Sequence, residues 1–272
     1  MEFWQYDFMQ RALLASVLVG LAAPSVGIFL VQRRLALMGD GMGHVALTGV
    51  ALGLLTGWAP VGVALVTAAG GALTIELLRD RGRTTSDLAL AIMFYGGIAG
   101  GVVLISKAPG GSAASLNQYL FGAITTTTPQ DLAIFAVLAA LILLVTLGLG
   151  RHLFAVANDE EYARASGMPV LPLNLVLAVL TATTVVVSMR VVGLLLISAL
   201  MVVPVATAQL VARSFRSALA LSLAIGLVCA VVGVTASYYT NTPSGGSIVL
   251  TAIALFGATA FVTGGLRWAQ RR

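Results

Sequence analysis

Charge is the scarcest property of this chain. Only 9% of its 272 residues are Asp, Glu, Lys or Arg, against roughly a quarter in an ordinary soluble domain. The chain has one cysteine, Cys229, and two histidines, and Lys107 is its sole lysine. One cysteine excludes an intramolecular disulfide. One lysine, with no G-x-x-x-x-G-K-[ST] run, excludes a Walker A nucleotide site in this chain. No H-E-x-x-H occurs, so a zincin-type protease is excluded as well. The net charge of +5 comes from arginines scattered between apolar runs. It forms no basic face, so nucleic acid is not an expected partner.

What the chain has instead is apolar surface. Hydrophobic residues make up 59% of it. A protein of this length cannot bury that much inside one globule, so lipid must be its solvent. A soluble enzyme and a disordered protein are both poor descriptions. Residues 1–10 are acidic (Glu2, Asp7) and carry no basic n-region, so no cleaved signal peptide is expected.

About 20 apolar residues carry a helix across the hydrocarbon core. Nine stretches qualify: 8–31, 37–56, 60–78, 88–106, 129–149, 170–188, 192–212, 217–238 and 247–266. The expected fold is all-α, a polytopic membrane helix bundle forming one transmembrane domain over 1–272. The 30 glycines lie among Ala, Ser and Thr inside the spans, the composition of close helix packing in lipid. The sixth and seventh spans form one apolar run, broken by Ser188-Met189-Arg190. A tight turn is expected there; without it the count falls to eight. With nine spans, twelve arginines fall on one side, while Arg11, Lys107 and Arg190 fall on the other. The positive-inside rule then puts the N-terminus outside and the C-terminus in the cytoplasm.

The ten carboxylates can be taken one by one. Most lie in tails or loops. Asp87 and Asp131 open spans, where acids cap helices. Glu76 sits one turn from Arg79, as a local ion pair or part of an ion exit. Asp40 remains, four residues before His44 and therefore on the same face of a helix. A carboxylate and an imidazole converging in this way suit zinc, manganese or iron. The alternative is an Asp–His pair hydrogen-bonded to each other. Glycines 39, 41 and 43 weaken this helix, as in the broken helices of transporter sites. An intramembrane aspartyl protease would need a second aspartate at this depth, and none is available. His152 reads as solvated, Tyr95, Tyr119, Tyr238 and Tyr239 as interfacial anchors, and Met42, Met93, Met189 and Met201 as packing residues.

Two connections are long. The outer one, 107–128, contains Pro109-Gly110-Gly111-Ser112 and a short surface helix over 117–124. The inner one, 150–169, is the main charged segment. Asn158 or Asp159 can cap a short helix there, Glu160 and Glu161 fill its first turn, Arg164 lies near its end, and Gly167-Met168-Pro169 stops it. Such a helix suits docking of a soluble partner; the alternative is a solvated connector.

Four stretches together resemble the membrane permease subunits of bacterial ABC importers for zinc, manganese and iron, most closely the zinc permeases. Gly39-Asp40 with His44 and Gly49 is similar to that family's G-D-x-x-x-H-x-x-x-x-G segment. Tyr119-Leu120-Phe121-Gly122 resembles its Y-L-F-G element. Gly193-Leu194-Leu195 through Pro204 and Ala206-Thr207-Ala208 resembles its G-x-L-L … P-A-A-T-A stretch, with Val205 where alanine is usual. Thr242-Pro243-Ser244-Gly245 resembles the turn before its last span. Gly43 stands where many members have alanine or serine.

The resemblance implies an importer subunit of the cell inner membrane, working as a homodimer around a central path. Its implied partners are a cytoplasmic ATP-binding subunit, which would bind the ATP, and an extracytoplasmic metal-binding protein. The implied cargo is Zn²⁺, or else Mn²⁺ or Fe²⁺, touched in transit by Asp40 and His44. The implied ATPase-coupling residues are Asp159, Glu160, Glu161, Tyr162, Arg164 and Gly167. No catalytic residue or bound cofactor is expected in this chain. A secondary, ion-coupled transporter acting without an ATPase is the competing reading.

Overall fold

The computed structural model of the chain describes residues 6–82, 86–107, 119–122 and 127–269, without the side chains of 86, 87, 195 and 266–269. Several expectations fall outside these residues: the Pro109–Ser112 stretch, most of the 117–124 helix, the Asp87 cap, and the placement of Arg83, Arg267, Arg271 and Arg272. The described residues form helices, most of them joined by short turns. In chain order these are α1 Asp7–Gln32, α2 Met38–Thr56, α3 Pro60–Asp80, α4 Ser86–Lys107, α5 Pro129–Gly148, α6 Gly150–Asn158, α7 Glu160–Ala165, α8 Val170–Met189, α9 Leu194–Val211, α10 Phe215–Thr240 and α11 Ser244–Ala269.

Eight of these helices are long and apolar enough to cross a membrane; α9 is the shorter one. The turn expected at 188–190 is present, with α8 ending at Met189 and α9 beginning at Leu194. α9 nevertheless runs from one end of the bundle to the other. Its first residues pack on Leu120–Gly122 and on Gly245. Its last residues share a cavity with Gln32 and Phe154. The nine apolar helices therefore alternate in direction. Arg33, Arg79, Arg151, Arg164, Arg213 and Arg216 gather at one end, called here the arginine end, and Arg190 lies at the other.

α1 and α8 are the most enclosed helices, and α11 the least. Val66, Leu144 and Phe261 are more than 70% exposed. In water such side chains would be a liability; on a membrane helix they face acyl chains. With lipid outside, apolar burial does not drive helix association, and close backbone contact takes over. At the α1–α10 crossing, a Cβ on Gly20 would stand 2.7 Å from the Gly226 carbonyl oxygen, so only small residues permit that approach. The expected packing methionines Met42, Met93, Met189 and Met201 are all buried.

The three motif turns meet at the end away from the arginines. Gly193 has φ of +95° and Gly122 has φ of +77°, a region that disfavours side chains. A Cβ on Gly193 would lie 2.6 Å from the Gly122 nitrogen and the Leu120 carbonyl oxygen. A Cβ on Gly245 would collide with the Val192 carbonyl. The Y-L-F-G element is thus docked backbone to backbone on the α8–α9 turn. Thr128 and Asp131 form a capping box at the start of α5, as expected of Asp131. The same carboxylate also pairs with Arg190, which fastens the α5 N-terminus to the end of α8.

Candidate functional site

α2 is continuous from Met38, not broken as its glycines suggested. Those glycines serve close packing. A Cβ on Gly39 would come within 2.8 Å of Ser198 Oγ, and one on Gly43 within 3.1 Å of Leu194. On the opposite side Gly97, at the middle of α4, lies directly against the backbone and Cβ of His44. His44 is therefore at mid-depth of the bundle, although Arg33 precedes it by only eleven residues. The chain re-enters through a short turn in which Leu35 and Met38 are buried.

Asp40 and His44 occupy one face of α2, as their spacing requires. His44 is 8% exposed, and its ring meets Phe94 edge-on with centroids 4.6 Å apart. Its Nδ1 is buried with no hydrogen-bond partner. A buried polar atom without a partner is costly. No hydrogen bond joins Asp40 to His44 among the described residues, so the self-satisfied pair considered above is not what forms. Asp40 is half-buried and lines an open cavity of 440 Å³ with Leu37, Leu90, Ala91, Phe94 and Tyr95. Tyr95 was expected as an interfacial anchor; it lies instead near mid-α4, two residues before Gly97, and borders this cavity. Among the described residues no cluster of three or more His, Cys, Asp or Glu side chains could hold a metal. One chain contributes one carboxylate and one imidazole.

Ser198 Oγ, on α9 against Gly39, is also buried without a partner. Sequence reasoning passed it over, since a serine in an apolar span carries no spacing signal. His152 is exposed, as expected.

The 150–169 connection contains two helices where one was expected. α6 was missed, although Leu153, Val156 and Ala157 follow an i, i+3, i+4 pattern and are buried. α7 is the expected short helix. Asp159 caps it by accepting from the Tyr162 N–H at 2.9 Å, and Gly167, at φ +77°, terminates it.

The six residues expected to couple to an ATPase divide into two groups. Glu161 and Tyr162 are exposed, Tyr162 at 71%. Glu160 turns toward the bundle. Its carboxylate accepts from Arg33 at 3.4 Å, Arg79 at 3.2 Å and Arg164 at 3.2 Å. Glu76, 3% exposed, receives Arg79 at 2.6 Å and lies 3.8 Å from Arg33. Arg164 also reaches Asp80 at 3.3 Å, and Gln32 donates to Asn158 at 3.3 Å. The Glu76–Arg79 ion pair is thus present, but as part of a network joining the ends of α1 and α3 to α7. Burial pushes the Glu160 carboxyl up, yet Arg79, Arg33 and Arg164 outweigh it and hold the group below the usual carboxylate range.

Among the described residues, nine end-to-end apolar helices, an unpartnered imidazole beside a carboxylate at mid-depth, and a charged helix braced at one end define a multi-pass membrane transport subunit. The ABC 3 transport family matches residues 5–263, and this chain belongs to it: it is a metal-permease subunit of an ABC importer. The manganese import system permease protein ScaB of Streptococcus gordonii is 33% identical, over 98% of this chain and 95% of its own length. A probable metal transport system membrane protein of Treponema pallidum is 37% identical, over 92% and 93% respectively. Among solved structures, PsaBC from Streptococcus pneumoniae in complex with Fab superposes with a TM-score of 0.85 at 35% identity, covering 95% of this chain and 92% of that one.

Proposed function

We propose that this permease imports a divalent first-row transition-metal ion, with Asp40 and His44 contacting the ion as it passes. The observation that carries the reading is the buried, unpartnered His44 Nδ1 on the same helical face as a cavity-lining carboxylate. A permeant ion supplies the missing partner. Two ligands are too few to hold an ion, so two copies of the chain around a central path would bring two carboxylates and two imidazoles together. The exposed residues Leu37 and Tyr95, which line the same cavity as Asp40, are the surface on which such a second copy would sit.

Manganese is the first candidate cargo, because relatives across the chain's full length carry that name. Zinc, toward which the sequence motifs leaned, is the second, and iron the third; an oxygen and a nitrogen donor accept all three. ATP would be bound by a cytoplasmic partner, and an extracytoplasmic protein would deliver the ion. The arginine end is assigned to the cytoplasm by the positive-inside rule. There Glu161, Tyr162 and the exposed side of α7 would meet the ATPase subunit.

The test is accumulation of Mn²⁺, Zn²⁺ and Fe²⁺, measured separately, in a deletion strain carrying this permease with its ATPase. Uptake of one or more of these ions should depend on both ATP and the permease. Equal uptake without any ATPase subunit would favour a secondary transporter instead.

A further inference from the structure

A second cavity lies at the arginine end, far from Asp40. It measures 670 Å³ and is lined chiefly by Leu147, Arg151, Phe154, Phe215, Arg216 and Leu219. This is within the range of small-molecule sites, about 300–1,000 Å³. Its back wall is aromatic: Phe154 and Phe215 pack with centroids 4.3 Å apart, and Phe29 supports Phe215 at 5.6 Å. No carboxylate of the described residues lines it. Arg151 and Arg216 are exposed and form no ion pair with any described residue. This sets them apart from Arg33, Arg79, Arg164 and Arg190, each of which is paired. The polar groups around them are already used: Thr146 donates to the Ile142 carbonyl at 2.8 Å, and Ser214 is committed to the α10 capping box. The cavity begins where the lipid-exposed face of α5 ends, at Leu144 and Leu147.

We propose that this cavity binds an anionic phospholipid. The phosphate group would sit between the Arg151 and Arg216 guanidiniums, which can each donate two hydrogen bonds to phosphate oxygens. The first turn of α10 adds a favourable partial charge on the same side. An acyl chain would run down past Leu147 and Leu219 onto the face of α5. Two unpaired cations over an apolar wall at a helix end match a lipid headgroup and chain better than a soluble anion, for which the apolar wall has no use. A lipid there would brace the α5–α6 junction against α10, and so steady the connection that carries α7.

The experiment is lipid retention by the intact permease–ATPase complex in mild detergent, read by native mass spectrometry after titration with phosphatidylglycerol or phosphatidylcholine. The wild-type complex should favour phosphatidylglycerol by roughly thirtyfold, the scale expected of two arginines at a membrane surface. R151Q/R216Q should lose that preference while the complex stays assembled. L219W, which fills the apolar part and keeps both arginines, should also lose the lipid. R34Q/R81Q, which removes two exposed arginines at the same end, should leave the preference intact. Equal retention of both lipids by the wild type would overturn the proposal, as would an unchanged preference in R151Q/R216Q. Displacement of the lipid by millimolar inorganic phosphate, with L219W still binding phosphate, would also overturn it and make the site one for a soluble anion.

Discussion

The Arg33 guanidinium lies 3.4 Å from the Glu160 carboxylate, although 127 residues separate them in the chain. Arg33 closes α1 and opens the five-residue turn into α2, which carries Asp40 two residues after its start. Glu160 opens α7. The surface helix and the entry to the candidate metal path are therefore joined by side chains, this ion pair and the Gln32–Asn158 hydrogen bond.

This relationship separates two neighbouring carboxylates. E160K would place a cation among Arg33, Arg79 and Arg164 and detach α7 from the bundle. It should cut metal uptake severely and raise the number of ATP molecules hydrolysed per ion moved. E161K alters only the exposed side, where charge complementarity sets register more than affinity. It should weaken co-purification with the ATPase subunit while leaving the fold unchanged. Uptake and hydrolysis measured together in proteoliposomes check both. A silent E161K would remove the support for docking through this face.

Glu76 should matter most for stability. Its side chain is 3% exposed and neutralises Arg79 while facing Arg33, itself 7% exposed. E76A removes the most buried carboxylate of the network and leaves Arg33 and Arg79 to share Glu160, which should cost about 2 kcal/mol. E161A, at an exposed position, should change stability by no more than about 0.5 kcal/mol. Thermal unfolding of the purified protein in detergent distinguishes the two.

Acid should release α7 before it unfolds the bundle. The Glu160 carboxyl is held below its ordinary value of 4.5. Its contribution to stability is therefore complete above about pH 4.5 and is lost as pH falls through the depressed folded value. Protease cleavage at the exposed 158–167 segment should accelerate over that range. In E160Q, which cannot titrate there, the cleavage rate should be high already at pH 7 and change little on acidification.

G193A tests the docking of the Y-L-F-G element. The residue needs φ of +95°, and its Cβ would strike the backbone at Leu120 and Gly122. Strain of this kind costs about 2 kcal/mol before the collision is counted. G57A, also at positive φ but with open space around it, should cost only about 1 kcal/mol. If G193A expresses and unfolds like G57A, the backbone contact between these turns is not a structural requirement.

Helix positions, the break at Ser188–Arg190 and the Asp159 cap were legible because they depend on local pattern and on hydrocarbon thickness. So was the sharing of one face by Asp40 and His44, which follows from helical periodicity. Glycines 39, 41 and 43 misled, because glycine marks both a weak helix and a close crossing, and only the neighbours Ser198 and Leu194 tell which. The network was half legible: Glu76–Arg79 is a local spacing, but nothing local announces that Arg33 and Glu160 will join it. The same holds for Arg190 with Asp131. Ion pairs across a bundle depend on which helix ends become neighbours, and that is settled by packing of small residues spread along the whole chain.

The central claim is that Asp40 and His44 contact the ion. Its most direct test is uptake of radiolabelled or isotopically enriched Mn²⁺ and Zn²⁺ by the reconstituted permease–ATPase complex carrying D40A or H44A, with assembly and ATP hydrolysis measured in parallel. Each variant should lose at least about tenfold in uptake, the effect of removing roughly 1.4 kcal/mol of ion stabilisation, while the complex forms and still hydrolyses ATP. Uptake at the wild-type rate in both variants, with expression matched, would contradict the account.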